Sequence, residues 1–406
     1  MQIKNLWYRS FQYGLDLSSR ALPWRKPKLV SGLGSSGEIP ALLKENNIEK
    51  VMVVTGSTVG KRLAPAILEK IKEAGLDYVH YDKVEANPST TTVEAIAESY
   101  RENGCQGFLA IGGGSPMDAA KAAAALVVKP GKSLSQMAGL LKVLHKLPLF
   151  IAVPTTAGTG SETTIAAIIT DEETHRKYAI MDLSLVPHYA VLDPELTRGL
   201  PPHTTAATGM DALTHAVEAY LCRCCTTAES LRMAEEATVT IFKYLERAYN
   251  DGNDMEARGA MLEASFKAGY AFTRSGVGNV HAIAHTLGGL YGVAHGLANA
   301  VILPIVLDDY LANGGNDVKA KLSHLAELVG LAKGSDQLEN ARAFVDEIYA
   351  MNKRMNMPTG FEQIKNEDIP QMVSWALAEA NPTYPVPFIY DEAHCTMMIS
   401  KIRELA

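Results

Sequence analysis

Between residues 27 and 195, short apolar runs alternate with helical stretches, and that alternation admits few architectures. Val51-Met52-Val53-Val54-Thr55 has no charged residue and reads as a buried strand. Residues 62–74 read as a helix, with Leu63, Ile67 and Ile71 at helical spacing. Residues 78–81, 108–111, 150–153, 166–170, 178–181 and 190–192 read as further strands, and 93–103 and 118–127 as further helices. The expected product is a parallel sheet with helices on both faces. Asp171-Glu172-Glu173-Thr174 reads as a hairpin turn between two of the strands. After Pro194 strand-like runs nearly vanish and helical periodicity dominates, as in 234–249 and 255–271. The fold class expected is α/β plus all-α. A Rossmann-like nucleotide-binding domain spans 1–195 and an all-helical domain spans 196–406. Residues 1–26 show no clear period and form an extension, packed on the surface or on a neighbouring subunit.

A chain of 406 residues is long enough for two cores. Its 47% hydrophobic and 20% charged residues are ordinary for a soluble globular protein. The net charge of −7 argues against a nucleic-acid binder. The apolar run 147–153 is too short for a bilayer, so no membrane partner is expected. The start Met1-Gln2-Ile3-Lys4-Asn5 lacks a signal-peptide pattern, which places the protein in the cytoplasm. Cys222, Cys224 and Cys225 lack zinc-site spacing, so these thiols, with Cys105 and Cys395, read as reduced and without a role.

Gly112-Gly113-Gly114-Ser115-Pro116-Met117-Asp118 lies between an expected strand and helix. Glycines there let the backbone approach a pyrophosphate, and the helix start favours an anion. Gly56-Ser57-Thr58-Val59-Gly60-Lys61 is one residue too short for an ATP-binding loop and is followed by Arg62 where Ser or Thr belongs.

Asp211 and His215 stand four residues apart, about one helical turn, and His281 and His285 repeat that spacing ahead of His295. Imidazoles with one carboxylate and no thiolate suit a divalent Fe, Zn, Co or Ni ion. Helix geometry does not choose between His281 and His285, which share a face. The other histidines (His80, His145, His175, His188, His203, His324 and His394) lack such context and read as surface or core residues.

Gly-Met-Asp-Ala-Leu-Thr-His-Ala-Val-Glu-Ala-Tyr (209–220) and His-Ala-Ile-Ala-His-Thr-Leu-Gly-Gly-Leu-Tyr-Gly-Val-Ala-His-Gly-Leu-Ala-Asn-Ala (281–300) resemble the two signatures of the iron-containing alcohol dehydrogenase family. The resemblance runs from about residue 27 to the C-terminus. It implies the dehydroquinate synthase-like architecture and a metal-dependent, NAD(P)-linked alcohol dehydrogenase acting mainly as an aldehyde reductase. Asp211, His215, His281 and His295 become the ligands, and His285 is left beside the substrate for proton transfer. Iron, Fe(2+), is the expected ion, with zinc, Zn(2+), as competitor. The turn with Gly113, Gly114, Ser115 and Asp118 matches the family's pyrophosphate motif. Thr155, Thr156 and Thr159 match a run lining the cofactor, and Lys177, otherwise a solvated hairpin lysine, matches a lysine at its ribose.

Three positions depart from the family pattern: Ala294 stands for Pro, Arg274 for Asn, and Ala166 for Asn. Phe272 is expected to line the substrate pocket and Arg274 to alter it. Many relatives end the strand equivalent to Val51–Thr55 with an Asp that selects NAD. Gly56 stands there, followed by Ser57, with Lys61 and Arg62 a turn later, so NADP(H) is expected to be preferred over NAD(H). A homo-oligomer, dimeric or larger, is implied, with Leu6-Trp7-Tyr8-Arg9-Ser10-Phe11 at the contact. The competing readings are a glycerol or diol dehydrogenase, a dehydroquinate synthase-like lyase, whose ligand set includes Glu, and a metal-stabilised scaffold. The small-molecule alcohol or aldehyde itself is left open.

Overall fold

The computed structural model describes residues 2–172 and 177–406. Glu173 and Thr174 of the expected hairpin turn, and His175 and Arg176, lie outside the described residues. The chain opens with helix α1 (Gln2–Arg20), where the sequence reading found no period. The reason lies in which face turns inward. Gln12 and Asp16 are buried, whereas Ile3, Leu6, Trp7, Tyr13 and Leu17 are exposed. Arg9, Gln12 and Asp16 recur at helical spacing, so α1 docks by a polar stripe that hydrophobic periodicity does not detect.

Every strand expected from the sequence is present. The strands are β1 (Lys28–Ser31), β2 (Lys50–Val54), β3 (Asp77–Tyr81), β4 (Gly107–Gly112), β5 (Gly139–Leu140), β6 (Leu149–Pro154), β7 (Ala166–Thr170), β8 (Lys177–Met181) and β9 (Tyr189–Leu192). The short β1 and β5 were not anticipated. One parallel sheet has the order β1-β9-β6-β4-β2-β3, and a small sheet has the order β5-β8-β7. In the small sheet β7 and β8 pair antiparallel, with Thr170 opposite Lys177.

Side chains alternate across the large sheet, and each face builds its own core. Met52, Val54, Phe108, Ala110, Phe150 and Ala152 pack on one face. Val51, Val53, Leu109, Ile111, Ile151 and Val153 pack on the other. A strand buried on both faces has to be apolar throughout, which is why these runs were readable. Removing each Val or Ile from water contributes about 1.5–3 kcal/mol. Because the strands are parallel, the turns after β2, β4 and β6 leave from the same edge. The chain goes from β2 outward to β3 and returns to β4, so the order reverses between β2 and β4, where α/β sheets bind ligands.

The chain divides into two compact units that are not contiguous in sequence. One comprises Pro23–Leu200 and Gly252–Gly269, and the other Met1–Leu22, Pro201–Asp251 and Tyr270–Ala406. In the first, Gly160 (φ 59°) is pressed against Gly269, where a Cβ would stand 2.6 Å from the Gly269 Cα. The second unit is helical. Its elements include α2 (Pro202–Leu221), α3 (Ala228–Asn250), α4 (Asn279–Tyr291), α5 (His295–Asn313) and α6 (Ile369–Ala380). Helix α2 packs on α3 and α5, and α4 packs on α5 and α6. Among the described residues no helix is long and apolar enough to cross a membrane.

His188 carries a pH-dependent share of the sheet's stability. Its Nδ1 accepts the Phe150 backbone N–H at 3.1 Å, which requires a neutral ring. Burial, with Arg25 and Lys146 nearby, pushes its pKa down from 6.5 to about 4. The unfolded chain therefore takes up a proton near pH 6.5 that the folded chain refuses until about pH 4. Stability falls as pH drops through that window. His188→Gln, which titrates no proton, is expected to lose less. Urea midpoints from pH 7.5 to 4.5 check this, and equal losses in both proteins would refute it.

Candidate metal centre and nucleotide site

Helix α2 is built of small and apolar residues around Asp211 and His215, which lie one turn apart and are buried. Helix α4 contributes His281 and His285, and α5 begins at His295. Among the described residues, Asp211, His215, His281 and His295 form a group able to hold a metal, with one ligand atom of each within 4.8 Å of the others. Asp211 Oδ1 is 4.0 Å from His215 Nδ1 and 3.5 Å from His295 Nε2. The Nδ2 of Asn299 donates to Asp211 Oδ1 at 2.7 Å and lies 3.1 Å from Nε2 of both His281 and His295. Electron-pair donors from three helices thus converge on one point, the arrangement that a cation requires. Phe272 stacks on His215, with ring centroids 4.2 Å apart. Arg274 has Tyr270, Cys225, Glu229 and Asp16 as its charged or titratable surroundings.

Glu218 is a residue the sequence reading missed. Its buried carboxylate accepts from Gly278 N at 2.9 Å and Val280 N at 2.8 Å, and meets His281 Nδ1 at 2.6 Å. Nδ1 of His281 is thereby the protonated nitrogen, and Nε2 presents its lone pair to the cluster. Burial, reinforced by the other histidines, holds His281 well below its ordinary pKa, in the neutral form that binds metal. The available signal was a lone acid within Ala-Val-Glu-Ala-Tyr-Leu, since a carboxylate in a buried helix needs partners. His285 stands apart from this set: its Nδ1 meets Glu379 Oε1 at 2.6 Å, and the Tyr384 hydroxyl donates to the same oxygen at 2.7 Å. Neither Glu379 nor Tyr384 was singled out in the sequence.

In the α/β unit, Gly113 and Gly114 open the helix Gly114–Val128 at the end of β4. A Cβ on Gly113 would lie 3.2 Å from Thr156 Oγ1, and one on Gly114 3.1 Å from Thr159 Cγ2. The glycine turn and the Thr155–Thr159 loop are therefore one surface. Asp118 accepts from Ser161 Oγ at 2.8 Å and Ile168 N at 3.0 Å and so ties the helix to β7. Lys121, fully buried and pushed by burial down to about 8, donates to Ser161, Thr164 and Ala166. The Asn87 backbone N–H lies 3.4 Å from Ser115 Oγ, and Lys177 Nζ donates to Asn87 Oδ1 at 2.6 Å. Gly56 lies two residues beyond β2 and caps the short helix Ser57–Arg62. Asp82, remote in sequence, meets this turn: its carbonyl accepts from Ser57 Oγ at 3.0 Å, and its Cβ would lie 2.8 Å from a Cβ on Gly60.

The chain thus carries the glycine-led turns of a dinucleotide-binding sheet and, in its helical unit, a histidine and aspartate cluster suited to a divalent ion. These are the parts of a metal-assisted dehydrogenase. Residues 26–194 match the model for iron-containing alcohol dehydrogenase, and residues 205–400 the model for the C-terminal part of the Fe-containing alcohol dehydrogenase family. The chain belongs to that family and is an oxidoreductase. It is 36% identical over 349 residues to the NAD-dependent methanol dehydrogenase of Bacillus methanolicus, covering 84% of this chain and 90% of that one. It is 37% identical over 318 residues to the 1,3-propanediol dehydrogenase of Citrobacter freundii, covering 77% of this chain and 80% of that one. The structure of an alcohol dehydrogenase from Oenococcus oeni superposes with a TM-score of 0.88 at 29% identity, covering 94% of this chain and 100% of that one.

Gly296 sets how closely α5 approaches α2. A Cβ there would stand 2.5 Å from the Ala207 carbonyl oxygen and 3.3 Å from Asp211 Cβ. Gly296→Ala is expected to push His295 from Asp211, costing about 1–3 kcal/mol of stability. Calorimetric titration with a divalent ion should give weaker binding, and wild-type affinity would show that the helices are not held this tightly.

Proposed function

We propose that this enzyme interconverts a primary alcohol and its aldehyde, mainly as an aldehyde reductase, with Asp211, His215, His281 and His295 holding one divalent ion. The carrying observation is the convergence of their four ligand atoms within 4.8 Å. Iron is the proposed ion, and zinc competes because it stands higher in the affinity order. When bound, the ion polarises the substrate oxygen and the nicotinamide exchanges hydride at C4 with the substrate carbon. Asp211 supplies the ligand set's negative charge, and Glu218 keeps His281 Nε2 turned to the ion. His285, with Nδ1 engaged by Glu379, takes the hydroxyl proton through Nε2 during oxidation and returns it during reduction. Phe272 lines the substrate side and Arg274 tunes it. A diol substrate is the second reading, supported by the likeness to 1,3-propanediol dehydrogenase.

Ligand and relay separate cleanly by mutation. His281→Ala is expected to lose both metal and turnover. His285→Ala is expected to keep its metal while turnover falls about 10²-fold or more. Elemental analysis beside kcat decides it: full metal occupancy in His281→Ala, or metal loss in His285→Ala, would overturn the assignment.

The dinucleotide is proposed to rest on Gly56, Ser57, Gly113, Gly114, Ser115, Asp118, Thr155, Thr156, Thr159 and Lys177, with NADP(H) preferred over NAD(H). Gly56 leaves room at the ribose, and Lys61 and Arg62 attract a 2′-phosphate. Asp82 meets this turn through its carbonyl and its Cβ. Gly56→Asp is expected to lower kcat/KM for NADPH more than for NADH. A wild-type preference for NADH of tenfold or more would reject the reading. A cytoplasmic homo-oligomer is proposed, and a monomer mass by light scattering at micromolar protein would exclude assembly.

A further inference from the structure

Helix α1 lies outside both segments matched by the family models; on its inward face Asp16 accepts from Cys225 N at 3.0 Å, and two other side chains meet one short segment. Arg9 donates to the carbonyl oxygens of Val386 at 2.7 Å and Pro387 at 3.0 Å. Gln12, 1% exposed, donates to those of Pro382 at 3.0 Å and Tyr384 at 2.8 Å, and Arg9 also donates to Gln12 Oε1 at 3.0 Å. Two side chains therefore hold four carbonyls of one short segment. That segment is irregular between α6 and the helix Glu392–Glu404; the Val386 N–H reaches the Tyr384 oxygen at 2.9 Å, and Arg9 and Gln12 add donors to all four oxygens. Its far side bears on His285. The Tyr384 hydroxyl and His285 Nδ1 share Glu379 Oε1, at 2.7 and 2.6 Å.

We propose that α1 is a positioning element for proton transfer: Arg9 and Gln12 fix residues 382–387, and Tyr384 and Glu379 in turn fix the ring of His285. The inference rests on the proton-transfer role proposed for His285. Glu379 engages the imidazole at Nδ1. A second donor on the same oxygen fixes where that oxygen sits, and so where Nε2 points. Tyr384 does this while its backbone is held: its N–H bonds Ala380, and its carbonyl takes the Val386 N–H and the Gln12 amide together. The exposed apolar face of α1 takes no part in this chain of contacts.

The test uses the metal-loaded enzyme and its coenzyme. In Arg9→Ala/Gln12→Ala, amide hydrogen exchange across residues 380–388 should quicken. The kcat for alcohol oxidation should fall about three- to tenfold with an altered pH profile, while metal content and both KM values hold. Tyr384→Phe, which deletes one hydroxyl, should reproduce the kcat loss. Glu379→Ala should lose more, Glu379→Gln should recover part of it, and adding Arg9→Ala/Gln12→Ala to Glu379→Ala should cost nothing further. Wild-type kcat and pH profile in Arg9→Ala/Gln12→Ala, despite faster exchange, would overturn the proposal. So would losses that add in the Glu379→Ala background. Should the double variant fail to fold, wild-type kcat in Tyr384→Phe overturns it instead. His285→Ala separates the two readings: unchanged turnover there removes the role of His285, whereas slowed turnover with normal Arg9 and Tyr384 variants removes only the brace.

Discussion

The helical unit depends on a carboxylate that has no access to water. Glu218 is buried on α2, and burial pushes its pKa up to about 7. It is kept there by three N–H groups, two from the start of α4 and one from the His281 ring. The first turn of a helix always has N–H groups with no partner inside the helix, and Gly278 offers no side chain to satisfy them. Glu218 therefore caps α4 from a different helix. The same contact ties α4 to α2 and sets the tautomer of His281. Removing the acid would unsettle a histidine and a helix end together, because one side chain serves both.

A comparable economy of small groups operates in the α/β unit. Gly113 and Gly114 let the turn after β4 lie against Thr156 and Thr159, where any side chain would intrude. Beneath it, Lys121 binds three residues of the neighbouring loop and strand through a single ammonium. The turn is free to face a ligand because its support comes from below. Rigid support under an open surface favours binding without reorganisation.

What the sequence disclosed follows the range of the forces involved. The strands β2, β4 and β6 are buried on both faces, so apart from Lys50 they are uncharged and legible. Asp211 with His215, and His281 with His285, are one-turn pairs within single helices, so spacing exposes them. Choosing His281 over His285 as ligand was beyond spacing, since Glu218 and Glu379, which separate their surroundings, come from other helices. Asn299 and Asp82 were missed for the same reason: Asp211, which accepts from Asn299, and Ser57, which donates to Asp82, lie on other elements. Helix α1 was hidden by its inverted pattern, with Gln12 and Asp16 inside and Leu6 and Trp7 outside. Periodicity detects apolar burial and is silent on a helix held by polar side chains.

The interleaving of the two units bears on how the chain is made. Gly252–Gly269 belongs to the α/β unit, although everything else in that unit ends at Leu200. Gly160 and Thr163 wait for Gly269, and Leu200 waits for Arg258. During synthesis the sheet therefore emerges first, and these residues wait some seventy residues for their partners, about 4–14 s at ordinary ribosomal rates. Throughout that interval the nascent α/β unit lacks the contacts that its own later sequence supplies. Chaperone demand should peak in this stretch of translation and fall once residue 269 has cleared the ribosome.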